Sequence, residues 1–136
     1  MAALAAALGA ASIGAMLFFS GLVAPTAFRV LPATSARAFV RALFPNYFLI
    51  NGFAGVVAAV LALSFWPSAL LLVGGAALIA LRVLVVPAVN RARDAMAGDA
   101  LAKAAFARWH RLSAVVNLAA IVLYALAVWM LLSRAA

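Results

Sequence analysis

At 136 residues the chain has the length of one domain, yet 71% of it is hydrophobic and 9% is charged, against about 45 to 50% apolar and about 25% charged in an average soluble domain. Water cannot solvate such a surface, so composition excludes an ordinary soluble protein. The net charge of +8 would point to nucleic acid if Lys and Arg shared a soluble face with aromatic residues. Most of them instead lie between apolar runs, and nucleic acid is not an expected partner. Cysteine is absent, which excludes disulfides, zinc-thiolate sites and thiol redox chemistry.

Four stretches reach the roughly 20 apolar residues that a membrane-crossing helix needs: Ala2 to about Ala24, Phe44 to Trp66, Ala69 to about Val89, and Leu112 to Leu132. None alternates with period two as barrel strands do, and helices are the only open-chain way to satisfy the backbone in lipid. The expected fold is therefore an all-α integral membrane protein, a four-transmembrane-helix bundle forming one domain.

The first run is Ala-rich, but no Lys or Arg precedes Arg29, so it reads as a span and not as a signal peptide. Small residues at Ala10, Gly14 and Gly21 fall on one face of it and are expected to pack against a neighbouring helix. The segment Pro25 to Leu43 follows, with Arg29, Arg37 and Arg41; Thr34 and Ser35 are expected to cap a helix running into span two. Span two carries Pro45, a face shared by Tyr47 and Asn51, and a second small-residue cluster at Gly52, Gly55 and Ala59. The turn Phe65-Trp66-Pro67-Ser68 is uncharged.

Span three contains Arg82, about 12 Å along the helix from Asn90 at 1.5 Å per residue. A charge at the centre of a span costs at least about 2.5 to 3.5 kcal/mol, so Arg82 calls for a partner or a route to the surface. The segment Asn90 to Arg111 holds Arg91, Arg93, Lys103, Arg108 and His110, and Gly98-Asp99 is expected to end one helix and cap the next. By the positive-inside rule both basic segments are cytoplasmic, which puts the two termini on the other side, in the plasma (inner) membrane.

On span four, His110, Ser113 and Asn117 form one stripe. Depth along the spans brings Tyr47, Asn51, Arg82, His110, Ser113 and Asn117 to similar levels, and they are expected to converge on a polar pocket in the cytoplasmic half. The plainer alternative is that Asn51 and Asn117 only join helices, at about 0.6 kcal/mol per contact. One histidine, no cysteine and four methionines give no ligand set for a metal or haem; no metal and no cofactor is expected. No nucleophile-base set, carboxylate pair or phosphate loop is present, and the chain does not read as an enzyme.

A faint repeat links Leu22–Arg29 with Leu84–Arg91, Phe39-Val40-Arg41 with Phe106-Ala107-Arg108, and Asn51 with Asn117. It implies two helical hairpins related by a pseudo-two-fold axis along the membrane normal.

Several boxes resemble a known family. Phe19–Pro25 with Phe28 and Leu31-Pro32, then Leu43–Phe48, then Asn90–Ala95 with Gly98-Asp99, and above all Phe106–Ser113 leading to Asn117-Leu118, are similar to the transmembrane-protein-205-like proteins, also catalogued as domain of unknown function 4149. The resemblance implies a four-helix membrane protein and supplies no reaction. It draws attention to Phe44, Pro45, Tyr47, Phe106, Arg108, His110, Ser113 and Asn117, and less to Arg82. The leading expectation is a protein that binds or helps to move a small solute or lipid headgroup, working in the bilayer as a homo-oligomer. An assembly partner of other membrane proteins is the second reading, and a haem or quinone redox protein the third.

Overall fold

Lipid offers the backbone no hydrogen bonds, so each apolar run closes its own, and in the computed structural model each becomes one long helix. The structure describes residues 1–134. Helix α1 (Ala2–Phe18) passes through a five-residue π turn, Phe19–Val23, into α2 (Ala24–Val30). Helix α3 spans Ala33–Ala62. Helix α4 (Phe65–Ala80) passes through a second π turn, Leu81–Val85, into α5 (Val86–Asp94), and α6 covers Ala100–Ser133. Four helices are thus long and apolar enough to cross a membrane.

Both π turns have the same cause. Pro25 and Pro87 carry no N–H and would drive their rings against the carbonyl four residues back. Just before each proline the ladder widens, with the Ala24 N–H donating to the Phe19 carbonyl and the Val86 N–H to the Leu81 carbonyl, which moves the obstructing turn aside. Pro45 sits inside α3 without such a turn, and there the helix loses one hydrogen bond.

The breaks between helices also come from local chemistry. Leu31 precedes a proline and is extended, at φ −100° and ψ 150°, as steric contact with the Pro32 ring demands. Pro32 then starts α3, and no side chain caps it; Thr34 and Ser35, expected as caps, lie inside the first turn. Leu63 closes α3 in the left-handed conformation at φ 50°. The turn it makes is held by the Ser68 hydroxyl, which donates to the Ala59 carbonyl at 2.8 Å, and by Arg134, which donates to the Ser64 hydroxyl. Asp99 caps α6 as expected, accepting from the Leu101 and Ala102 amides at 2.8 and 3.3 Å.

The long helices form a ring in which α1 packs on α3 and α6, and α4 packs on the same two. Helices α1 and α4 occupy one diagonal, α3 and α6 the other. Closest approach is between α3 and α4: a Cβ added to Gly75 would stand 2.7 Å from the Gly52 carbonyl oxygen. Tyr124, fully buried, fills the space left by Gly55 and Gly74. Gly52, Gly55 and Ala59 therefore pack as the sequence implies. Ala10, Gly14 and Gly21 do not: all three are exposed, and a Cβ at Gly14 or Gly21 would meet nothing within 4 Å.

The two halves are arranged alike around the ring. Exchanging α1 with α4 and α3 with α6 maps the neighbours onto one another, and each hairpin begins with an apolar helix, a π turn and a proline two residues beyond it.

Candidate functional site

The six polar residues expected to converge separate into three places. The first is a closed network across the α3–α6 diagonal. Tyr47, buried on α3, donates its hydroxyl proton to Asn117 Oδ1 at 2.8 Å. That leaves its oxygen to accept from Ser20, 3.3 Å away on the first π turn. Asn51 turns back on its own helix, donating to the Tyr47 carbonyl at 2.8 Å, while the Tyr124 hydroxyl donates to the Asn51 carbonyl at 2.9 Å. Among the described residues no buried side-chain nitrogen or oxygen lacks a partner. These bonds join the first π turn, α3 and α6, the interhelical role that polar side chains commonly play in membranes. Tyr47→Phe is expected to cost about 0.6 kcal/mol, the average for such contacts in membranes, a small drop in thermal midpoint and no change in oligomeric state.

An aromatic cluster surrounds this network. Phe19 stands edge-on to Phe44 at 5.2 Å, and Phe44 meets Tyr47 edge-on at 5.7 Å. Phe44 and Tyr47 of the family box thus carry packing as well as polarity, next to Pro45.

The second place is a cleft of about 80 Å³ at the basic end, between α3, α5 and α6. Its floor is apolar: Val40, Phe44 and Phe48 from α3 face Val86 and Val89 from α5. Its rim is polar, with Arg41, Asn90, Arg93, His110 and Ser113 around the mouth and Phe106 beside them. The spacing that makes this possible is helical: Phe44 and Phe48, then Val86, Val89, Asn90 and Arg93, then Phe106, His110 and Ser113 recur every three or four residues and share a face.

Rim side chains are held by one another. The Phe106 and His110 rings stack, centroids 5.7 Å apart, and the Arg93 guanidinium lies over Phe106, 5.5 Å from its centroid. Ser113 donates to the His110 carbonyl at 2.8 Å. Arg41 grips Asp94 through two parallel hydrogen bonds of 2.6 and 2.9 Å, tying α3 to α5, and this holds the Asp94 carboxyl below its ordinary value. Arg108 lies over Trp109, 5.3 Å from its ring, and lines no part of this cleft.

Arg82 occupies the third place, alone. It lies on the second π turn, half-buried, and has no ion-pair partner among the described residues. The two amides it was expected to join bond elsewhere: Asn117 accepts from the Tyr47 hydroxyl and Asn51 donates to the Tyr47 carbonyl.

Sequence reasoning passed over Ser20, Tyr124, Arg41, Arg93 and Asp94 as members of a site. Tyr124 was within reach, since it lies two helical turns beyond Asn117. Arg41 and Arg93 read as topogenic charge, and Asp94 as an acid of the basic segment, because only the folded hairpins bring them together.

These features define an integral membrane protein of four helices with a polar network between its helices and a cleft at its basic end. The chain belongs to the family described as Domain of unknown function (DUF4149), whose model matches residues 7–98. The matched segment runs from α1 through α5, so the α3 and α5 walls of the cleft lie within it and the α6 wall beyond it. The finer likeness to transmembrane-protein-205-like proteins is not part of that match. No curated protein and no solved structure matches the chain.

Proposed function

We propose that the protein binds an anionic membrane lipid, with the headgroup at the Arg41 and Arg93 rim and one acyl chain along Phe44, Phe48, Val86 and Val89. The observation that carries this reading is the two-part chemistry of the cleft, an apolar floor opening between two guanidiniums. A phospholipid in the adjoining leaflet has the same two parts in the same order. Basic pockets between membrane helices suit such headgroups, and guanidinium pairs phosphate through two parallel hydrogen bonds.

By the positive-inside rule the cleft faces the cytoplasmic leaflet of the plasma (inner) membrane, where anionic lipids are held, and both termini lie opposite. The reading is of a binding protein and not an enzyme: the rim hydroxyl, Ser113, donates to the His110 carbonyl and not to its ring, and no paired carboxylates line the cleft among the described residues. Both acids of the chain are engaged, Asp94 by Arg41 and Asp99 by the α6 amides. Transport through one chain is disfavoured, since Met16, Leu71, Leu78 and Tyr124 fill the interior; a transport role would run through an assembly of chains.

Thermal unfolding in mild detergent tests the reading. Added phosphatidylglycerol is expected to raise the midpoint of the wild-type chain more than phosphatidylcholine does, and Arg93→Gln is expected to remove most of that difference. Equal shifts from the two lipids would contradict it.

The second reading, an assembly partner, is favoured by one observation: Ala10, Gly14 and Gly21 face outward from α1 with room for a Cβ at both glycines. Small residues on a lipid-facing surface let another helix approach closely.

A further inference from the structure

Arg41 and Arg93 line a second hollow as well as the cleft, and it opens on the basic surface beside Thr34, Arg37 and Asp94. Three guanidiniums surround one carboxylate there. Asp94 lies across the forked face of Arg41 with one oxygen on each terminal nitrogen, the arrangement in which a guanidinium also holds two phosphate oxygens. Arg37 is exposed and forms no ion pair among the described residues. With three guanidiniums and one carboxylate around the hollow, the cluster holds more positive charge than Asp94 offsets.

Arg41 and Arg93 line both hollows, so a headgroup held in one would lie beside the apolar floor of the other. A phosphodiester headgroup brings one negative charge and two free oxygens. A phosphate monoester brings about −1.5 to −2 and three acceptor oxygens, which matches two uncompensated guanidiniums and a third that is released when its carboxylate partner is exchanged for phosphate.

We propose that the ligand is a lipid ending in a phosphate monoester, whose phosphate bridges Arg37 and Arg93 and takes the place of Asp94 on Arg41. This rests on the lipid-binding reading and names its headgroup. Asp94 then acts as an internal stand-in for the phosphate, keeping Arg41 oriented and the α3–α5 mouth tied when no lipid is bound. The chemistry is shared by membrane lipids and by soluble phosphate monoesters, and the test separates these sources.

The full chain is placed in phosphatidylcholine nanodiscs doped equally with phosphatidic acid, phosphatidylglycerol and cardiolipin of matched acyl chains, and retained lipid is counted by native mass spectrometry. Phosphatidic acid is expected to be retained about tenfold over phosphatidylglycerol, a difference of about 1.4 kcal/mol, with cardiolipin no better than phosphatidylglycerol. Arg37→Gln, at an exposed position, is expected to bring that ratio close to one, and Asp94→Asn to raise phosphatidic acid retention several-fold. Equal retention of phosphatidylglycerol or cardiolipin with phosphatidic acid would overturn the monoester assignment while leaving the lipid reading intact. So would a loss of phosphatidic acid in Asp94→Asn. Retention of no anionic lipid above phosphatidylcholine would overturn both. Displacement of phosphatidic acid by an equal concentration of glycerol 3-phosphate would support the phosphate site and overturn its lipid source.

Discussion

A Gly75→Ala chain is expected to unfold at a clearly lower temperature than the wild-type chain in mild detergent. The added methyl group would sit 2.7 Å from the Gly52 carbonyl oxygen and 3.1 Å from the Val56 amide nitrogen, and neither is a side chain that can rotate away. Relief requires α3 and α4 to part along the contact that the bundle depends on most. Alanine normally favours a helix over glycine by about 1 kcal/mol, and overpacking costs about 1 to 3 kcal/mol and sometimes more. Contact with backbone puts this site at the upper end, so the net loss is expected to be about 2 kcal/mol or greater against a total stability of about 5 to 15. Gly14→Ala is the control: its Cβ would meet nothing within 4 Å, so helix preference alone acts and stability is expected to hold or rise. Thermal unfolding monitored by circular dichroism separates the two, and a Gly75→Ala chain as stable as wild type would show that α3 and α4 do not depend on this close backbone approach.

Tyr124→Ala is expected to cost about 3 to 5 kcal/mol, the range for removing a large buried ring. Tyr124 is fully enclosed, with its ring seated over Gly74 and its hydroxyl end over Gly55. Two glycines facing it leave no side chain able to move into the vacated space. In lipid the tails are as apolar as the core, so the loss comes from missing dispersion contacts and not from solvent exposure. Tyr124→Phe removes only the hydrogen bond to the Asn51 carbonyl and is expected to cost about 0.6 kcal/mol. If Tyr124→Phe were as damaging as Tyr124→Ala in a chemical-denaturant or thermal titration, the hydrogen bond and not the packing would be the main contribution.

Hydropathy and charge made the number and order of the four helices legible, because lipid imposes both directly on composition. The cap at Asp99 and the breaks at Pro32 and Gly98 were legible in part, from local backbone chemistry; Thr34 and Ser35 misled because Pro32 had already set the helix start. Depth along each span was also readable, and Tyr47, Asn51 and Asn117 do meet. What depth could not give was rotation. Each π turn shifts the register of the residues beyond it relative to a regular 3.6-residue count, and both turns lie in spans whose outward faces were at issue. Gly21, inside the first turn, faces away from the bundle, as does Gly14 ahead of it; the amides that Arg82, inside the second turn, was expected to join bond Tyr47 instead. The cleft was the least legible feature, since Arg41, Arg93 and His110 come from three segments that only the paired hairpins bring to one mouth.

Lipid occupancy of that mouth can be mapped directly by photo-crosslinking, with a diazirine-bearing anionic phospholipid incorporated beside the wild-type chain in nanodiscs and the labelled positions found by peptide mass spectrometry. The expected result is label concentrated on the floor residues Phe44, Phe48, Val86 and Val89, reduced by Arg93→Gln and by excess unlabelled anionic lipid. Label spread evenly over the exposed faces of α1 and α4, unchanged by either, would contradict a lipid site in the cleft.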